Sequence, residues 1–325
     1  MAGSFFWAGH WSLSSSLPTF PTAQHPVVFY TNQTGCNLHL LFLQALAQAK
    51  DSIYLEVYAI TDPNVIQLLQ AKVAQGLSVS ILTDKKASPG LKKKLKSPPY
   101  LHFYKGRGLM HRKIVVIDHQ LTLLGSTNFT PPSLTLHDNF ALAISDEQVA
   151  FFFEHEAEEM RHFCLNQQQL DTWKLPKNGK QARKAIVDEL AKANHSIQVA
   201  MFTLTDSSLS HALIAAHNRG IKVQVSLDYY TAGGSSKKIV EELLQAGISV
   251  HTSRGAQLFH HKWALIDETT LITGSTNWTK SAFTHNYDDF IIVHDLTEQQ
   301  RKLMRSLWRT IANNTQQESL PKSFF

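Results

Sequence analysis

A chain of 325 residues with 43% hydrophobic and 18% charged residues is long enough to bury a sizeable core and too apolar to be disordered. No apolar run approaches the roughly 18 residues of a membrane-spanning helix, and only two cysteines occur, Cys36 and Cys164, which argues against a disulfide framework or a cysteine-rich metal centre. The net charge of +5 leans toward anionic partners such as nucleic acid or acidic lipid.

Residues 1–31 lack periodicity and read as an arm. Its Phe5, Phe6, Trp7 and Trp11 suit peripheral contact with a bilayer. No Lys or Arg precedes that aromatic run and Pro18 and Pro21 follow it, so it does not read as a secretory signal. The compartment, cytoplasmic or secreted, stays open. Apolar residues then recur at helical spacing from Asn37 to Ala49, and Ile53–Ile60 reads as a strand. Asp62-Pro63 starts a helix, with Asp as N-cap and Pro at the first helical position, running to about Gly76. Leu77–Leu82 is a second strand. Lys85, Lys86, Lys92, Lys93, Lys94 and Lys96 follow as a basic cluster, either a solvated face or a rim that guides a polyanion.

The next stretch organises the chain. His111-Arg112-Lys113-Ile114-Val115-Val116-Ile117-Asp118 precedes Gly125-Ser126-Thr127-Asn128 by six residues. Four apolar residues between Lys and Asp read as a buried strand, and the i, i+2 spacing puts His and Lys on one face. Ser145 to Gln148 has capping-box spacing and opens a helix. In that helix His155-Glu156-Ala157-Glu158-Glu159 reads as a solvated face. It fails as a zinc-protease motif because Glu159 stands where His is needed. Polar residues with Pro176, Asn178 and Gly179 make 167–180 a linker.

The same order then returns. Ile197–Leu204 matches the first strand, Asp206 the N-cap at Asp62, and Gly220 the stop at Gly76. His260-His261-Lys262-Trp263-Ala264-Leu265-Ile266-Asp267 again precedes Gly274-Ser275-Thr276-Asn277 by six residues. The offset grows from 144 at Asp62 and Asp206 to 149 at His111 and His260, so the second copy carries five extra residues, placed near Thr231–Gly234. Thr297 to Gln300 repeats the capping-box spacing. A repeat on this scale predicts an α/β chain in which each half builds a mixed β-sheet flanked by helices. The expected division is an arm (1–31), a first domain (32–166), a linker (167–180) and a second domain (181–325).

Two imidazoles and two ammonium groups are the inventory for cleaving a phosphodiester. A neutral imidazole can attack phosphorus, and a protonated one can donate to the leaving oxygen. The lysines supply the charge a metal otherwise would, so no metal or cofactor is called for. The competing reading is a non-catalytic anion-binding module, disfavoured because both motifs are complete.

The doubled H-x-K-x4-D-x6-G-S-x-N pattern resembles the phospholipase D superfamily over roughly residues 37–312. Within it, Leu271–Thr279, Ala282, Asn286 and Asp288 look most like the bacterial nuclease and mitochondrial cardiolipin-hydrolase branch. The resemblance implies two similar, pseudo-twofold-related domains whose motifs meet in one active site, so a monomer would hold a complete site. It implies catalytic roles for His111, Lys113, Asp118, His260, Lys262 and Asp267, with His111 as nucleophile and His260 as general acid. Asn128, Asn277, Ser126 and Ser275 are counted as substrate-facing, although bracing suits the serines better and a structural role at strand ends suits Asp118 and Asp267 at least as well. Asp288, where the branch has Glu, and Asp138, aligned by deleting one residue nearby, are expected to contact the catalytic histidines. Phe129-Thr130 and Trp278-Thr279 depart from cardiolipin synthases, which carry Asp and Arg-Ser after the Asn. The expected substrate is a phospholipid, with DNA or RNA as the alternative.

Overall fold

The computed structural model describes residues 18–319, apart from positions 97 and 256. Phe5, Phe6, Trp7 and Trp11 lie outside those residues. The first half runs β1 Val27–Thr31, α1 Leu38–Ala47, β2 Ser52–Val57, α2 Pro63–Ala74, β3 Ser78–Thr83, α3 Leu91–Lys94, β4 Leu101–Phe103, β5 Lys113–Ile117, β6 Leu121–Gly125, α4 Pro131–Thr135, β7 Phe140–Ser145 and α5 Glu147–Glu154. Then come β8 Met160–Leu165, β9 Gln168–Lys174, α6 Gly179–Ala191, β10 Ser196–Met201, α7 Ser207–Asn218, β11 Lys222–Leu227, α8 Tyr229–Gly233 and α9 Lys237–Gln245. The chain ends with β12 Ser249–Ser253, β13 Lys262–Ile266, β14 Thr270–Gly274, α10 Lys280–Thr284, β15 Asp289–Val293, α11 Glu298–Asn314 and β16 Thr315–Gln317.

These strands form two mixed sheets, ordered β1-β7-β6-β5-β2-β3-β4 and β16-β12-β11-β10-β13-β14-β15-β9-β8. In both, the motif strand pairs antiparallel with the first strand of the repeat, which pairs parallel with the next. The helix starts follow the sequence. Asp62 accepts from Val65 N–H with Pro63 at the first position, and Asp206 accepts from Ser208 and Leu209 N–H. Thr297 and Gln300 form a full capping box.

After its leading lysine each motif strand is apolar, because both its faces are covered. Ile114 and Val116 point into a central core with Trp263 and Leu265 of the other sheet, joined by α5 and α11. Val115 and Ile117 point the opposite way, into a core with α1 and α2. Ala264 and Ile266 do the same against α6 and α7. Each such side chain is almost wholly buried, and full burial stabilises the fold by roughly 1.5–3 kcal/mol per residue. The order is helices, sheet, shared core, sheet, helices, which presents the starts of the two motif strands to one another.

Three expectations need correction. The end of the supposed arm is β1, paired with β7, because its apolar Val27 and Phe29 cover part of the central core. The expected linker contains β9, paired with β15, and β8 belongs to the second sheet although it falls within 32–166. A Gln-rich segment turned at Asn166 (φ 55°) gives little strand signal, but Leu170 and Phe163 are buried. Finally, α5 is capped by Asp146, not Ser145, and ends at Glu154, so residues 155–159 are not helical.

Candidate active site

Just before each motif strand the chain crosses to the opposite half. His111 N–H donates to Tyr287 O at 2.7 Å, and Tyr287 N–H donates to Leu109 O at 2.8 Å. Asp138 N–H donates to Leu258 O at 2.9 Å. Met110 thereby bridges Tyr287 and Phe259 bridges Asp138. The two bridges exchange under the 149-residue offset, which is the local pseudo-twofold.

The histidines are oriented across that axis. His111 Nδ1 lies 2.7 Å from Asp288 Oδ1, and His260 Nδ1 lies 2.9 Å from Asn139 Oδ1. Asn139 Nδ2 donates to Ser133 O at 2.7 Å, which fixes its amide so that Oδ1 faces the ring. That oxygen only accepts, as does an ionised Asp288, so each Nδ1 carries its proton and each Nε2 is left for chemistry. Ser126 Oγ donates to Asn139 Oδ1 at 2.7 Å, and Ser275 Oγ to Asp288 Oδ1 at 2.8 Å. The serines, buried to 1% and 0% exposure, therefore brace the histidines' partners and do not face substrate. The glycine before each serine lets the strands approach. A Cβ on Gly125 or Gly274 would sit 2.3 Å from Phe140 O or 2.5 Å from Asp289 O.

Asp138 does not contact His260; that place belongs to Asn139. No residue is deleted. Ser126 to Asn139 and Ser275 to Asp288 are both thirteen residues apart, so the true register was readable from the serines. Asp138 sits to the side, pushed up to about 6 by burial. Asp118 and Asp267 are not at the site either. Asp118 accepts from Lys50, Asp51 and Ser52 N–H at 2.8–3.1 Å, and Asp267 from Asn194, His195 and Ser196 N–H at 2.8 Å. These bonds hold both carboxyls below the usual range against the opposing effect of burial. At the far end of five-residue strands, they lie roughly 16 Å along the chain from the lysines.

Lys113 and Lys262 are both buried, Nζ directed to His111 O and His260 O. Tyr58 and Phe202, equivalent by the 144-residue offset, lie beneath them. Lys113 is 5.3 Å from the Tyr58 ring and Lys262 5.0 Å from the Phe202 ring. The histidine rings lie 5.4 and 5.1 Å from the same two rings. Asn128 and Asn277 are half-buried, and neither side-chain amide makes a hydrogen bond among the described residues.

Burial sets the electrostatics. It pulls His111 below the ordinary histidine value, assisted by Lys113 and opposed by Asp288. It pulls His260 further, assisted by Lys262, Lys113, His111 and His137, with no carboxylate at Nδ1 to oppose it. Lys113 falls to about 7 and Lys262 well below its usual range, both mainly by desolvation. A site that holds so many cationic groups at so high a cost is built for an anion, whose charge returns them toward the protonated form.

Several contributors escaped the sequence reading. Arg112, between His111 and Lys113, is fully buried and pairs with Glu56 and Glu156 at 2.8 and 2.5 Å. Its guanidinium lies 3.8 Å over the Tyr287 ring, and its Nε donates to Asp288 O at 3.3 Å. It thus fixes the segment whose carbonyl and carboxylate hold His111. Glu156, read from sequence as a solvated helix residue, is one arm of this cluster. Asp289 is buried with neither oxygen hydrogen-bonded among the described residues and is pushed up to about 7 by burial. No group of three His, Cys, Asp or Glu among the described residues is arranged to hold a metal ion.

Comparison with known proteins agrees with this architecture. Residues 42–161 and 186–310 match the family described as "Cardiolipin synthase, PLD-like domain", once in each half. The mitochondrial cardiolipin hydrolase of Xenopus laevis is 34% identical over 124 residues, 37% of this chain and 58% of that protein. The chain thus spans little more than half the length of that relative. The phospholipase D of Rickettsia conorii is 30% identical over 179 residues, 54% of this chain and 86% of that protein. Among solved structures, a phosphatidylserine synthase of Haemophilus influenzae has the same fold, with a TM-score of 0.71 at 14% identity over 94% of this chain and 90% of that one. With this family matched in each half and the two motifs meeting across one axis, the chain belongs to the phospholipase D superfamily.

Proposed function

We propose that the protein hydrolyses phosphodiesters at one site shared by both halves, through a covalent phosphohistidine, and that the substrate is a phospholipid. The observation that carries this reading is the crossed pairing of His111 with Asp288 and His260 with Asn139. Each half supplies one imidazole and the other half fixes its tautomer, so neither half is complete alone.

In the first step His111 Nε2 attacks phosphorus and the bond to the leaving oxygen breaks as His260 Nε2–H protonates it. In the second, neutral His260 takes a proton from water, whose oxygen attacks phosphorus. The P–N bond then breaks and both histidines return to their starting states. Lys113, Lys262, Asn128 and Asn277 hold the nonbridging oxygens. The partners support this polarity. Phosphorylated imidazole is cationic, and the Asp288 carboxylate at Nδ1 stabilises that charge. The Asn139 amide gives His260 no such support, which makes its imidazolium the stronger acid.

Similarity to a cardiolipin hydrolase and a phospholipase D supports the lipid. So does the surface: Leu109 and Leu136, close in sequence to His111 and Asn139, are exposed, as are Tyr229 and Tyr230 on α8, an arrangement suited to a bilayer. A second reading, endonuclease, is supported by the basic cluster, whose six lysines are all exposed on and around α3. Turnover of anionic vesicles and of single-stranded nucleic acid, each across a salt series, separates them. Vesicle hydrolysis that declines only moderately with salt fits the lipid. Efficient nucleic-acid cleavage that falls steeply and log-linearly with salt, with vesicles untouched, fits the endonuclease.

A further inference from the structure

The two corners of the active site are related by the pseudo-twofold, yet one is closed and the other open. Beside His111, the loop at Gly108-Leu109 packs directly on His285-Asn286. Asn286 Oδ1 accepts from Leu109 N–H at 3.1 Å, and a Cβ on Gly108 would sit 2.3 Å from His285 O. The symmetric corner beside His260 pairs Gln257-Leu258 with Leu136-His137. There His137, which stands where Asn286 stands in the other corner, makes no side-chain hydrogen bond among the described residues, and its ring lies 6.3 Å from that of His260.

A cavity of about 230 Å³ fills this corner, lined by Leu136, His137, Tyr230, Gly255, Gln257 and Leu258. The second half's extra residues build its outer wall. Ser88 Oγ and Ser236 Oγ cap the equivalent Ile60 and Leu204 N–H groups. The offset is 144 at Ile60 and Leu204 but 148 at the two serines, so four of the five extra residues lie between Asp228 and Ser236, in and around α8. That helix carries Tyr230, whose hydroxyl donates to Gly255 O at 3.3 Å. The first half has no counterpart of α8 among the described residues.

We infer that this open corner is the subsite for the leaving alcohol, and that it takes a small uncharged polyol of the glycerol class. The inference rests on the reading of His260 as the acid that protonates the leaving oxygen. At about 230 Å³ the cavity has room for a glycerol unit. Leu136, Leu258 and the Tyr230 ring cover the carbon skeleton. His137 and Gln257 offer partners to free hydroxyls. No acidic side chain lines the cavity among the described residues, so an ammonium headgroup finds no counter-ion there.

The test compares phosphatidylglycerol with phosphatidylmethanol, each dispersed in the same inert vesicles, because methanol is too small to use the subsite. The wild type is expected to favour phosphatidylglycerol in kcat/KM by about tenfold or more, the range one well-filled pocket supplies. Leu136→Trp, which fills the cavity, should bring that ratio close to one. His137→Ala should lower it as well, with partial recovery in His137→Gln. A wild-type ratio near one, or a ratio unmoved by both Leu136→Trp and His137→Ala, overturns the subsite while leaving the lipid hydrolase standing. Cleavage of neither lipid alongside efficient cutting of single-stranded nucleic acid overturns the phospholipid reading and this subsite together.

Discussion

The two halves of the active site carry the same motif on equivalent strands, and they differ in the group that faces the histidine. His111 faces the carboxylate of Asp288; His260 faces the amide of Asn139. The residues that hold those partners, Ser275 and Ser126, are the same in both halves. Duplication of a fold supplies two imidazoles in matched positions. Chemistry that needs one nucleophile and one acid needs them unlike, and a single change from carboxylate to amide accomplishes that.

The largest effect is expected from removing a ring. His111→Ala is expected to abolish turnover, and His260→Ala to lower kcat by on the order of 10²–10⁴-fold with an unactivated leaving group. Circular dichroism should show both folded. Full activity in either variant would exclude a shared site. The next change makes the halves alike. Asp288→Asn removes the charge behind the nucleophile and is expected to lower kcat by well over about tenfold, even where the amide keeps the tautomer. A loss of less than about tenfold in kcat would mean the carboxylate does not set the polarity.

The reverse change sharpens the comparison through pH. His111 acts when neutral, above its folded pKa, and His260 when protonated, below its own. Both values are lowered in the fold, so kcat/KM should be bell-shaped with both limbs below the ordinary histidine value near 6.5. Asn139→Asp gives His260 a carboxylate, which favours its imidazolium and should move one limb upward by about one to three units. A profile that is flat from pH 6 to 8 in both proteins would contradict these assignments.

A smaller effect is expected where the halves match. Asp118→Ala or Asp267→Ala removes a carboxylate from three backbone N–H groups and should lower stability by about 1–3 kcal/mol with kcat unchanged in the folded protein. Both carboxyls are held low, so this stabilisation is present above the ordinary Asp value near 4 and is lost as pH falls through the folded value. Thermal melts at pH 7 and pH 3 check it: the gap between wild type and variant should narrow at the lower pH. The smallest effect concerns metal. Lys113 and Lys262 supply the charge on the phosphoryl oxygens, so excess chelator should leave turnover within about twofold; complete loss restored by zinc or magnesium would refute that.

Much of this site was legible because its key residues lie within a few positions of one another and recur. The i, i+2 spacing of His and Lys, the apolar strand behind them and the second copy were sufficient to bring four residues together. What was missed depends on contacts between distant segments. Of the pair Asp138-Asn139, Asp138 was preferred because it offered a carboxylate where the family pattern suggested one. The Arg112 cluster draws on Glu56, Glu156 and Tyr287, which lie on three separate elements or loops. Glu156 was misread because a charged run after an amphipathic helix looks solvated until the helix is seen to stop at Glu154. β9 was hidden by glutamines, whose polar side chains mask a strand that buries Leu170 and Trp173.

The central claim is that a symmetric fold carries an asymmetric reaction, with the carboxylate-backed imidazole as nucleophile. Acid-free quenching during steady-state turnover of a phosphodiester labelled in its phosphoryl group, followed by peptide mapping, tests it most directly. The account predicts an acid-labile phosphoryl adduct on His111, with none on His260. An adduct on His260, or an even distribution between the two, would contradict it.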